Sequence, residues 1–449
     1  MKYHNEKAIT DAVSIIRKTK TNPVEMVTAE NHEIQKKAFM DAALPAAEDG
    51  CEEFPVSVNP TFVYNSDLLH EASDNTQCIE DAKKAIEDNL EPEDEGDRAI
   101  HRIILNRIDE SIVTTEMAKS ILDKDDSATA MYARQKYGSP SDEDIKCAYY
   151  WAESEMSNQL RAGTKGSILD EEFIVALKEI QLSSNQLKDV FVTGMGFLSI
   201  KPWDVIVSPQ NCTSVDVRDF GKKGKPSVWI PTDRNPDGLE AVKLVGHEIY
   251  CHLRGSDNCQ QFFEKLFAKT PLKDFRDLIK TDNEVGSNYE GPAKQCDVLV
   301  KGMQAAPDPY AIIAIELAQK GMSFGDIAKI IFDLRLKALG EKNEKNIKKA
   351  LTTAWTKTYR VTRGSTNPWK NRGNYAFPKD AAYFLGYRNA ERQGLDSVYS
   401  DYASMLPDEV NALSDCYPEL IANVPSEYTL KSFIQKMSKH VWATYHSYS

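Results

Sequence analysis

The stretch VKLVGHEIYCHLRGSDN, residues 242–258, holds two of the eight histidines of the chain, His247 and His252, five positions apart with Glu248 beside the first. Two imidazoles and a carboxylate are the kind of donor set that holds a catalytic metal and leaves a position open for water. A metal lowers the pKa of bound water toward about 7, and a carboxylate at its edge takes the proton and passes it to a leaving amine. That is the chemistry of peptide hydrolysis, with His247 and His252 as ligands and Glu248 as acid/base. The spacing sets a condition. Ligands four apart share one helix face, whereas five positions at about 100° per residue swing the second imidazole roughly 140° from the first. The helix must therefore carry a one-residue bulge, a feature found at functional sites, or end before His252. Cys251 holds the i+4 position and is a competing ligand.

The elements around this stretch have to deliver it. Asp237 followed by Glu240 has capping-box spacing, and Leu239, Val242 and Val245 supply an apolar stripe, so His247 and Glu248 fall in the second or third turn of a helix entered from a strand. Between residues 190 and 231 the runs DVFVTGMGFLSI, DVIVSP and SVWIP are short, rich in Val, Ile and aromatic residues, and read as strands. The run KPSVWIP could receive a substrate backbone by strand addition, or be an ordinary sheet strand. Residues 61–189 and 301–449 carry apolar residues at three- and four-residue spacing and read as helical, and residues 1–60 read as an arm or small helical cap.

Composition bounds the classes of function. With 449 residues, 41% hydrophobic and 27% charged, the chain can build a large hydrophobic core. A net charge of −13 disfavours nucleic acid and anionic membrane as partners; cations concentrate only in KKGK, residues 222–225, and between Arg360 and Lys379. No run approaches the roughly 20 apolar residues of a membrane span, and the N-terminus has no apolar leader, which reads as cytoplasmic with export by another route left open. The eight cysteines form no Cys-x-x-Cys pair, favouring reduced thiols over a disulfide scaffold or zinc ribbon.

Further motifs follow the histidines in order. HEIYCHLRGSDN is followed by YEGPA, residues 289–293, and then by YRVTRGSTNPWKNRGNYAFPKDAAYFLGY, residues 359–387; ARQKYGSPSDED precedes them. Together they resemble the tyrosine carboxypeptidase family of zinc peptidases, which includes the microtubule-associated tyrosine carboxypeptidases, over a region from about residue 60 to near the C-terminus. The resemblance implies an α+β, mostly helical, zincin-like fold with a small sheet beside the active-site helix, and a catalytic region over residues 61–449. The strands, active-site helix and third ligand would then fall within residues 190–300. It also implies zinc held by His247, His252 and Glu290, Glu248 as the catalytic acid/base, and release of a C-terminal residue, possibly tyrosine, from a protein or peptide tail. Two departures stand out: Tyr250 and Cys251 replace a small pair and add bulk beside the metal, and Pro292 after Gly291 disfavours helix there.

Other residues extend the set. Asp297, seven after Glu290, would share its helix face and orient a ligand imidazole. Arg360 and Arg363, with Lys379, suit a substrate carboxylate, because guanidinium grips carboxylate with two parallel bonds; the competing reading is an internal ion pair. Tyr383 and Tyr387 are candidate donors to an oxyanion. Arg254 and Asn258 are expected to brace a turn after His252. The rival functions are a dipeptidyl peptidase III-like specificity, which also uses His-Glu-x-x-x-His, and a binding module that keeps the fold without the chemistry.

Overall fold

The computed structural model describes residues 1–19, 21–153, 166–200, 203–208, 216–218, 227–267, 287–366, 368–369, 374–394, 405, 407–418 and 428–448. The protein is mostly helical with little sheet, a helical α+β arrangement. Among the described residues no helix is long and apolar enough to cross a membrane. The chain forms two compact units: Met1–Asn158 with Asp277–Ile279 and Asp308–Phe384, and Gln159–Arg276 with Lys280–Pro307 and Leu385–Ser449.

In the first unit, residues 1–60 are built into the body. Helix Glu6–Thr19 buries Ile9, Ala12, Val13 and Ile16, at helical spacing, against helix Thr76–Asn89. Helix His32–Asp49 brings Phe39 into an aromatic core with Phe324 and Trp355. The other helices of this unit pair as neighbours, Phe324–Leu339 on Glu344–Thr362 and Asp126–Tyr137 on Glu95–Leu122. A two-residue ladder joins β1 (Lys2–Tyr3) to β2 (Leu90–Glu91).

The second unit holds the histidine motif. Its sheet comprises β3 (Asp204–Ser208), β4 (Asp216–Arg218) and β5 (Ser227–Pro231) in the order β3-β5-β4, with β3 parallel and β4 antiparallel to β5. The central place of β5 corrects the strand-addition reading. Its whole length pairs with β3 and its residues Ser227–Trp229 pair with β4, so most of its edge hydrogen bonding is already used.

A second correction concerns residues 189–200, expected as strand. They lie mainly in helix Ser184–Phe197. Ser183 and Gln186 form a reciprocal capping box, and the buried Leu187, Val190, Phe191, Gly194 and Met195 repeat at helical spacing. The period outweighs the β-favouring composition of the run.

Candidate metal centre

The motif helix starts as expected. Asp237 is its N-cap and its side chain accepts from the Glu240 backbone N–H at 2.7 Å. Glu240 does not return the bond in capping-box fashion; its carboxylate accepts from Arg234 at 3.1 Å and Lys243 at 3.0 Å, and pairs with Lys301. After the α-helical turn Gly238–Leu244 the backbone widens into a π-helical segment, Val245–Leu253, and then continues as α-helix Arg254–Phe267. This is the bulge that the five-residue spacing demands, since i→i+5 bonding stacks residue i+5 over residue i. The His247 and His252 rings consequently lie 4.8 Å apart between centroids.

No turn follows His252. Arg254 is instead helical and buried, with its guanidinium 4.6 Å over the Tyr250 ring.

Glycine permits the neighbouring helix, Ser287–Lys301, to close on the π segment. A Cβ on Gly246 would meet Cys296 Sγ at 2.3 Å. Gly291 plays the same part on the other side of that helix, where a Cβ would meet the Gly386 carbonyl oxygen at 2.3 Å. The helix runs through Gly291 and Pro292, contrary to the expected break. The lack of a Cβ at Gly291 relieves the clash that proline imposes on the preceding residue.

Among the described residues, one group of ligating side chains can hold a metal ion: His247, Glu248 and His252, whose ligand atoms all lie within 4.8 Å of one another. His247 donates from Nδ1 to Asp297 Oδ1 at 2.9 Å, which leaves Nε2 as its ligating atom. Asp297 Oδ2 accepts from Lys294 at 2.9 Å. Glu290 is half-buried on the same helix and stands outside the 4.8 Å group, yet its charge is felt at Glu248.

The electrostatics follow from burial and an excess of acid. Burial and then the Glu290 charge raise Glu248 to about 7 against the pull of His247. Burial opposes protonation of His247, but Asp297 and then Glu248 outweigh it and hold its pKa at about 9. Burial, reinforced by His247, pushes His252 well below its usual value and keeps it neutral. For Asp297 burial acts upward, but His247 and Lys294 prevail and hold the carboxyl below its ordinary range. Burial lowers Lys294, an effect overcome by Asp297, Glu290 and Glu248. Two imidazoles with three nearby carboxylates form a donor set that fits a divalent cation, which would take the place of the proton that His247 holds at neutral pH.

The departures at residues 250 and 251 point elsewhere. The Tyr250 hydroxyl donates to the Tyr428 carbonyl at 3.0 Å and its ring packs 5.2 Å from Phe433, so its bulk enters the core. Cys251 is not in the ligand group; its thiol is engaged with Cys296, whose own thiol is pushed up in pKa by burial and then by this contact. Tyr387, expected as an oxyanion donor, is buried, with its hydroxyl 3.9 Å from Met303 Sδ and bonded to Glu391.

The residues expected to bind substrate lie in the first unit. Arg360 Nε donates to Asp380 Oδ2 at 2.7 Å, and Arg363 Nη2 lies 3.8 Å from Asp380 Oδ1 with its guanidinium 4.7 Å over the Phe377 ring. Both arginines therefore face a carboxylate of the protein's own, while the buried Arg363 Nε and Nη2 and Asp380 Oδ1 make no hydrogen bond. Lys379 and Tyr383 are half-buried on the following turn and helix. KKGK, residues 222–225, lies outside the described residues.

The sequence reading missed Lys294. The signal was its i,i+3 spacing to Asp297, which on a helix places an ammonium beside the carboxylate. No protein-family model matches the chain, and no curated protein matches it.

Proposed function

We propose that this protein is a zincin-like zinc metallopeptidase that acts as a carboxypeptidase, releasing a C-terminal residue from a protein or peptide tail. The observation that carries the reading is the π segment, which brings His247 and His252 together with Glu248 between them and Asp297 behind His247. The C-terminal specificity, with tyrosine as the residue to test first, rests on the motif resemblance. His247 and His252 would hold the metal with Glu290 completing the set, and Glu248 would act as acid/base. Zinc, when bound, supplies a Lewis acid that brings the pKa of water to about 7. The chain supplies the rest. Asp297 fixes the tautomer and ring of His247, and Lys294 holds the second oxygen of Asp297. Burial keeps His252 neutral and able to ligate. Glu248, raised to about 7 before a metal binds, would take a proton at neutral pH and give it to the departing amine.

The test is metal content by mass spectrometry on the wild type and on Glu290→Ala, with cleavage of tyrosine-ended peptides followed on the wild type and on Glu248→Gln. About one zinc per chain, lost with Glu290, and cleavage lost with Glu248 support the reading. Zinc retained in Glu290→Ala and lost in Glu248→Gln would exchange the roles of the two glutamates. Failure to take up zinc on reconstitution would leave a binding module, and release of N-terminal dipeptides would assign a dipeptidyl peptidase III-like specificity.

A further inference from the structure

Helix Ser287–Lys301 has a second face. Gln295 and Asp297 are two residues apart, about 200° around the helix axis, so Gln295 faces away from the side that holds His247. On that far side a cavity of about 370 Å³ opens, lined by Gln295, Val298 and Leu299 from this helix and by Tyr387, Ala390 and Glu391 from helix Ala381–Gln393, with Met303 and Gly394 closing it. The volume lies in the range of small-molecule sites.

The lining is selective in kind. Val298, Leu299, Met303 and Ala390 make it largely apolar, and among the described residues no lysine, arginine or histidine contributes to it. Gln295 is only 6% exposed, and its Oε1 has no hydrogen-bond partner. Its Nε2 faces the Tyr387 carbonyl oxygen at 3.5 Å, so flipping the amide would set oxygen against oxygen. That oxygen lies beneath the cavity wall, closed to direct bonding, and adds negative potential to the wall. Glu391, exposed on the same cavity, adds a carboxylate, and the Tyr387 hydroxyl is bonded to it. Acceptors and negative charge on an apolar wall complement an apolar body carrying a protonated nitrogen.

We propose that this cavity is a binding site for a small organic ammonium ion, an amine on an aromatic or aliphatic body, separate from the metal centre. The ammonium bonds to Glu391, and the body packs on Val298, Leu299, Met303 and Ala390. The site does not depend on the peptidase reading.

The probe is 2-phenylethylamine, with 3-phenylpropionate as the anion of the same shape. Binding to the full chain is measured by ligand-observed NMR and calorimetry, before and after zinc is stripped with a chelator. The expected result is saturable binding of the amine, unchanged by stripping, with no binding of the carboxylate. Glu391→Gln, at an exposed position, should weaken it about tenfold, as expected for loss of a hydrogen bond to a charged group, and Ala390→Trp should abolish it by filling the cavity. Amine binding that is absent, that disappears on stripping the metal, or that is unchanged in Glu391→Gln would overturn the proposal.

Discussion

Two clusters of charge in this protein are built from similar parts and resolved in opposite ways. In the second unit, His247 is tied to Asp297 and Asp297 to Lys294, but Glu248 and Glu290 add negative charge, enough to lift Glu248 to about 7. In the first unit, two guanidiniums, Arg360 and Arg363, meet one buried carboxylate, Asp380. The first arrangement gathers imidazoles and carboxylates that can ligate a cation; the second sets two cations around one anion, with Arg363 Nε and Nη2 making no hydrogen bond. What a cluster of charged residues can bind therefore depends on which of its donors and acceptors its own partners leave unused, and side-chain type alone does not reveal that.

The comparison can be broken most forcefully at Glu248. Glu248→Gln should lower kcat for peptide cleavage by about 10²–10⁴-fold while zinc content by mass spectrometry stays near that of the wild type. Asp380→Ala should leave two guanidiniums beside an empty place and cost about 3–5 kcal/mol in urea unfolding. Unchanged stability with a raised KM would instead make the arginine cluster a substrate grip. Asp297→Asn should weaken zinc binding about 10–100-fold in chelator competition, since the amide holds His247 less firmly. Gly246→Ala should destabilise by about 1–3 kcal/mol through its clash with Cys296, and Cys296→Ala in the same chain should recover much of that loss.

The smallest effect is expected at Glu240. Burial raises its pKa, but Lys243 and Lys301 prevail and hold it below 4.5. A carboxylate depressed on folding stabilises above its unfolded pKa and loses that contribution as pH falls through the folded value. Glu240→Gln should therefore cost under about 1 kcal/mol at pH 7 and flatten the loss of stability below about pH 4.5, seen by thermal unfolding across that range.

Much of the candidate metal centre was legible because its determinants are local. The Asp237 cap, the need for a bulge between His247 and His252, and the place of Asp297 two turns after Glu290 all follow from helical geometry over a few residues. The destinations of Arg360 and Arg363 were not legible, because their partner Asp380 lies 17–20 residues on, beyond any helical period. The direction of Tyr250 depended on Tyr428 and Phe433, which are more distant still along the chain. Residues 189–200 were misread for a different reason: their composition was weighed above their period.

The π segment also acts as a spacer that leaves the phase of the helix behind it untouched. Its wider turn takes up the extra residue between the histidines, so helix Arg254–Phe267 keeps Cys259, Phe262 and Phe263 buried. Deleting one residue between the histidines would let the segment close into α-helix with the commoner four-residue spacing, and those side chains would stay on their core face. Ligand spacing and core packing are thus separable. A change from one histidine motif to the other need not rewrite the helix behind it.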